Sequence, residues 1–133
     1  MRYVLDIEPK PQSRPRFGKK RAYEDRDMLA WKRRFMYLLK AKRPTMIEKG
    51  PIAVLLTFYV YPPQYLAKSK GRAEALRNEE IYVDKRPDLD NYTKAVWDCS
   101  NGILFKDDGQ IAVDGNQKLY SLNPRIEIEI FEL

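Results

Sequence analysis

The chain has 133 residues, with 25 Lys+Arg, 19 Asp+Glu, one Cys and no His, for a net charge of +6. That length suits one compact domain, residues 1–133, that needs no disulfide or structural metal to fold. A lone Cys99 without any His excludes an internal disulfide, zinc-finger chemistry and a His-based triad, so carboxylates, lysines, tyrosines and a hard bound cation are left for chemistry.

Residues 3–8 are β-branched and partly alternating and predict a first strand. Residues 9–18 hold three prolines and a glycine, which precludes a helix or a central strand and predicts an extended arm, with residues 19–23 pairing as a short strand. From residue 25 to 42, Met28, Trp31, Phe35, Leu38 and Leu39 recur at helical steps. Asp25 or Asp27 suits the start of that helix, and Lys42-Arg43-Pro44 its end. Residues 52–61 form a continuous apolar run expected to be a buried strand, which Pro62-Pro63 stop. Residues 64–80 predict a loop with a helix over 72–78.

The sharpest helix signal spans residues 88–101. Leu89, Tyr92, Val96 and Cys99 make an apolar stripe, while Asp90, Lys94 and Asp98 run down the other side and Asn101-Gly102 end the helix. Residues 103–105, 110–113 and 117–122 are short strand candidates. Residues 125–131 alternate and predict a strand with one solvated face. The order of elements predicts a small α/β fold, with helices packed on a mixed sheet.

Charge is unevenly distributed. Residues 10–43 carry thirteen Lys/Arg against three acids (+10), whereas residues 107–133 carry six acids against two bases (−4). A basic arm over residues 9–23 and a basic helix face suit a polyanion, although either can be merely solvated. No apolar run approaches the roughly 20 residues of a membrane span. Asp6 also falls where a signal peptide would have its apolar core. The expectation is a soluble cytoplasmic protein with no membrane partner.

Four acids stand out: Asp88 and Asp90 at the entry to the best helix, and the adjacent Asp107 and Asp108. Carboxylates are the usual protein ligands of Mg²⁺. If Leu89 anchors in the core, the carboxylates on either side of it can converge, with Lys94 one turn beyond to meet a bound phosphate. The plainer readings are an N-cap for Asp88 or Asp90, an ion-pair ladder for Lys94 and Asp98, and a turn for Asp107-Asp108-Gly109. Trp31, Trp97 and Phe35 are expected in the core, and Cys99 as packing. Taken together, the Asp clusters and basic arm fit metal-assisted phosphodiester hydrolysis, which needs no His.

The run 85–98 (K-R-P-D-L-D-N-Y-T-K-A-V-W-D), followed by 101–111 (N-G-I-L-F-K-D-D-G-Q-I), resembles the RusA family of Holliday junction resolvases, whose pattern is K-P-D-x-D-N-x-x-K and then D-D-x-Q-[IV]. Arg14-Pro15-Arg16-Phe17 and Pro124-Arg125-Ile126-Glu127-Ile128 also resemble it. The resemblance covers nearly the whole chain and implies a RusA-like, homodimeric α/β endonuclease of bacterial, phage or prophage origin. It implies Mg²⁺ held by Asp88, Asp90 and Asp108 (Asp107 as the alternative), Lys94 as the essential lysine, and Asn91 as a structural or ligand-supporting group. Lys10, Arg14, Arg16, Lys19, Lys20, Arg21, Lys85 and Arg86 would contact the phosphates of four-way junction DNA. Arg86 stands where the family commonly has Lys, and residues 62–80 match nothing in its pattern. Two other readings are a catalytically silent DNA binder and a nuclease aimed at flaps, forks or RNA.

Overall fold

The computed structural model describes residues 1–12, 16–18, 21–23 and 25–133, with only the backbone of the two short inner strands. Its centre is a mixed sheet of four strands, β1 (Arg2–Leu5), β4 (Ile52–Val60), β5 (Ile111–Tyr120) and β6 (Arg125–Glu132), in the order β1-β6-β4-β5. The strand β6 runs antiparallel to both β1 and β4, whereas β4 and β5 are parallel. A parallel pair cannot be joined by a tight turn, so the chain between them makes a long crossover. That crossover contains α2 (Gln64–Ala67), α3 (Ala73–Arg77) and α4 (Leu89–Ser100). Within the basic arm, β2 (Arg16–Gly18) and β3 (Arg21–Tyr23) pair as a separate antiparallel ribbon.

Helix α1 (Arg26–Ala41) starts where predicted, because the Asp25 side chain accepts a hydrogen bond from the Met28 amide at 2.7 Å. Its Phe35 and Leu39 join Tyr92, Val96 and Cys99 of α4 against Val54, Leu56, Phe58, Ile126, Ile128 and Ile130 of the sheet. The period-two pattern of β6 thus buries its isoleucines under the helices and turns Glu127 and Glu129 to the other face. Leu89 packs against this core, as its place beside the apolar stripe predicts. Gly102, with φ of 83°, turns the chain out of α4.

Residues 64–80 fold as two short helices and an intervening 3₁₀ turn. Leu66, Leu76 and Ile81 form a small second core with Tyr120 of β5. Arg125 of β6 fastens this segment, donating to both Glu79 carboxylate oxygens at 2.6 and 2.8 Å. That hydrogen bonding holds the Glu79 carboxyl below its ordinary pKa. A lowered folded-state value stabilises the protein above the ordinary glutamate pKa, and the contribution disappears as pH falls through the lowered one. Glu79→Gln should therefore cost about 1–2 kcal/mol at neutral pH. It should also flatten the acid limb of a stability–pH curve measured by urea unfolding.

Three expected elements differ. Residues 103–105 are a turn fixed by single bridges from Ile47 and Asn101 to Phe105, not a strand. The two strands expected at 110–113 and 117–122 are one, β5, which runs straight through Asp114-Gly115-Asn116. This turn-like tripeptide is held extended by its pairing with Val54, Leu55 and Leu56. A Cβ on Gly115 would meet only the movable end of the exposed Leu55 side chain, at 2.8 Å. Trp31 and Trp97 are only half-buried at the edge of the core. Among the described residues no helix is long and apolar enough to cross a membrane.

Candidate active site

The register of β5 on β4 sets up the site. Val54, Leu56 and Phe58 point into the core, and their partners across the pair are Asp114, Asn116 and Lys118. Three polar residues therefore occupy the helix-side face of the edge strand. Opposite them, Asp90, Thr93, Lys94, Trp97 and Asp98 follow i, i+3, i+4, i+7, i+8 spacing and form one stripe of α4. The α4 stripe, Asp114 and Asn116 of β5, and Asp108 together line a cavity of about 320 Å³, with Lys118 next along the strand beyond it.

The Asp107-Asp108 pair divides into two roles. Asp107 caps the 3₁₀ turn Asp108–Gln110, its Oδ2 accepting from the Gly109 amide at 3.0 Å. Asp108 faces the cavity instead. Gln110 fixes the whole turn: its Oε1 accepts from the amides of Lys106 and Asp107, while its Nε2 donates to the carbonyls of Ile47 and Gly50. The glutamine of the D-D-x-Q pattern is thus a structural clamp between the acid pair and the segment before β4.

Asp88 is the N-cap residue of α4, exposed and making no side-chain capping bond. It stands two residues before Asp90 and is not among the residues lining the cavity. The approach to it is fixed by Lys118, whose Nζ donates to the carbonyls of Lys85 and Pro87 at 2.6 and 2.7 Å. The neighbouring backbone is tied to the same strand end, with Val83 N bonded to Lys118 O and Tyr120 N to Ile81 O. Asn91 is exposed, and its carbonyl accepts from the Gln12 amide at 2.9 Å, which anchors the arm at the start of α4. Asp98 is no rung of an ion-pair ladder with Lys94; it lies 3.7 Å from Lys32 of α1.

Of the basic residues, Lys10 is half-buried, while Lys85 and Arg86 are exposed ahead of α4. Arg14, Lys19 and Lys20 lie outside the described residues, as do the side chains of Arg16 and Arg21 on β2 and β3.

The cavity's charged ligand candidates are all carboxylates, the donor type preferred by hard divalent cations. The Asn116 Oδ1 is buried without a hydrogen-bond partner, although its Nδ2 donates to Asp114 Oδ2 at 3.3 Å. Such an acceptor is the kind of atom a cation or its water satisfies. Among the described residues, no three acidic, His or Cys side chains stand close enough to hold one ion directly. Carboxylates spaced around a cavity suit a small cation that keeps several of its waters and shares substrate oxygens. The donor set fits such an ion and does not resemble a zinc site.

Asp114, Asn116, Trp97 and Lys118 were not singled out for the site by sequence reasoning. The available signal was the alternation of Asp114, Asn116 and Lys118 along what reads locally as a turn. For Trp97 it was the spacing of seven residues from Asp90.

The family model "Endodeoxyribonuclease RusA" matches residues 6–131. The uncharacterized protein YqaN of Bacillus subtilis (strain 168) is 31% identical over 137 aligned residues, which span 100% of this chain and 96% of that protein. The match spans both the D-x-D-N-x-x-K helix and the D-D-x-Q turn, which bring Asp90, Lys94 and Asp108 to the walls of one cavity, and the chain belongs to the RusA endodeoxyribonuclease family.

Proposed function

We propose that this protein is a Mg²⁺-dependent endodeoxyribonuclease that resolves four-way (Holliday) DNA junctions by paired symmetrical nicks, acting as a homodimer. The observation that carries this reading is the cavity between α4 and β5, where acids from two distant parts of the chain face Lys94 in a member of this family. Asp90 and Asp108 on the cavity wall, with Asp88 two residues before Asp90, would hold the cation partly through the waters it retains, since the three carboxylates do not close on one point. When bound, the cation supplies a water of lowered pKa and positive charge beside the scissile phosphate. Lys94, one helical turn from Asp90, donates to a phosphate oxygen and stabilises the negative charge that builds there or on the leaving oxygen. Lys10, Arg14, Arg16, Lys19, Lys20, Arg21, Lys85 and Arg86 contact backbone phosphates, which orients DNA without reading sequence. Two sites related by a two-fold axis account for two symmetrical nicks.

The test is cleavage of a labelled four-way junction, a fork, a flap and a linear duplex, each with Mg²⁺. Paired nicks in the junction, with little cutting of the other substrates, are expected. Preferential cutting of forks or flaps would defeat the assignment, and salt-sensitive retention without any cut would identify a DNA binder.

Lys118 is a positioning residue in this reading, because it holds the carbonyls just ahead of Asp88. Lys118→Met should lower both metal affinity and nicking by about 10–100-fold, the usual range for a group that orients ligands. Calorimetric titration with Mg²⁺ and single-turnover cleavage measure the two effects. Parallel losses with partial rescue by Lys118→Arg are expected, whereas a drop in melting temperature alone would show a purely structural role.

A further inference from the structure

Residues 62–80, which match nothing in the family pattern, build with residues 81–85 and Tyr120 a second cavity of about 480 Å³ beside the end of β5. Its floor is apolar: Leu66, Ile81 and Tyr120 are buried there. Two tyrosines line it while remaining mostly exposed, Tyr65 at 70% and Tyr82 at 67%. Large aromatic rings left in water above an apolar floor provide flat faces for another flat ring. Neither tyrosine is needed for the main core, so its exposure is not a by-product of packing there.

The polar groups around these rings are of two kinds. Glu80 and Asp84 are hydrogen-bond acceptors, suited to the amino groups of cytosine, adenine or guanine. Arg72 and Lys85 are cations, suited to the phosphates on either side of a base. Aromatic faces, a few acceptors and flanking cations are the combination by which proteins hold unstacked nucleotides.

This cavity is coupled to the catalytic one through shared elements. Tyr120 and Asn116 lie on the same face of β5, four residues apart, or about 13 Å at ~3.3 Å per residue. Lys85 lines the second cavity, and its carbonyl is held by Lys118, which lies between those two strand positions. The spacing of those two lining residues along the strand, ~13 Å, is of the order of four nucleotide rises at ~3.4 Å each.

We infer that the cavity formed by Tyr65, Tyr82, Glu80 and Asp84 receives an unstacked DNA base from the branch point of the substrate while the nearby phosphate occupies the catalytic cavity. The inference rests on the junction-resolving reading above and gives it a source of structural selectivity. A branch point offers bases that can leave their stack at low cost, whereas an intact duplex must first pay for unpairing. The acceptors favour a base bearing an amino group over thymine.

The experiment uses the full chain, with Ca²⁺ in place of Mg²⁺, and a four-way junction carrying 2-aminopurine at each branch-point position in turn. Wild-type protein should change the emission at one position. Tyr65→Ala/Tyr82→Ala should abolish that change and weaken junction binding about tenfold or more, with linear-duplex affinity kept within about twofold. Tyr65→Phe/Tyr82→Phe should restore both signals, because the ring faces remain; circular dichroism melting checks that all variants fold. An unaltered emission change in the alanine variant, or equal weakening of junction and duplex, overturns the inference and leaves the nuclease reading standing. A wild-type protein that binds junction no better than duplex overturns the junction-resolving reading itself, and this inference with it.

Discussion

Asp90→Asn should reduce junction nicking on the order of a thousandfold while leaving junction binding in place. The substitution preserves shape and removes one negative charge from a side chain that is exposed on α4 and lines the cavity between α4 and β5, so folding is not at stake. Asp108→Asn should behave in the same way. Asp107→Asn is the informative contrast, because Asp107 caps the 3₁₀ turn through an acceptor oxygen that asparagine also possesses. It should keep both fold and nicking close to wild type. Single-turnover cleavage of a labelled junction gives the rates, and gel retardation with Ca²⁺ gives binding. Full activity in Asp90→Asn would defeat the assignment of the cavity, and activity lost in Asp107→Asn but kept in Asp108→Asn would exchange the two acids' roles.

Phe58→Ala should lower stability by about 3–5 kcal/mol, the range for deleting a fully buried aromatic ring. In a protein of this size that corresponds to a fall of roughly 10–18 °C in melting temperature. Phe58 is completely buried towards the C-terminal end of β4 and stacks on Tyr92 of α4, with ring centroids 5.3 Å apart. It is also paired in register with Lys118 of β5. The ring thus supports α4 directly while its backbone pairs with β5, the two elements that carry most of the cavity's lining, so nicking should fall with stability instead of surviving it. Differential scanning calorimetry and cleavage at 25 °C check the two effects. Phe58→Leu, which keeps most of the volume, should cost less and retain activity. A loss of less than 1 kcal/mol in Phe58→Ala would show that α4 is held by other contacts.

How far the site was legible from residues alone depends on the range of each contact. The apolar stripe of α4 is a local, helical pattern, and Tyr92, Val96 and Cys99 are all buried as their spacing requires. The same periodicity put Asp90, Lys94 and Asp98 together on another side, and they do line one cavity. Trp97 was misjudged because aromatic residues on a helix usually pack inward; here the ring touches the core and also borders the cavity. The D-G-N tripeptide was misjudged for the opposite reason. Its local preference is a turn, yet parallel pairing with the buried strand β4 overrides that preference.

The acids' chemistry followed from composition. With no His and one buried Cys, any metal bound by side chains must be held chiefly through oxygen. The division between Asp107 and Asp108 did not follow, because it depends on Gln110 reaching back to Ile47 and Gly50, more than fifty residues earlier. Arg125 and Glu79 were equally invisible as a pair, 46 residues apart in the chain.

The sequence by itself determined the donor chemistry, the basic arm, the helix that carries Asp90 and Lys94, and the family pattern. Only the tertiary structure decided that Asp114 and Asn116 of β5 line the cavity opposite Asp90 and Lys94, and that residues 65–85 with Tyr120 build a second cavity. The physical reason is the range of the forces involved. Helical periodicity and residue chemistry act over a few residues, whereas the crossover that brings residue 114 opposite residue 90 is fixed by burying one face of β4 beneath two helices.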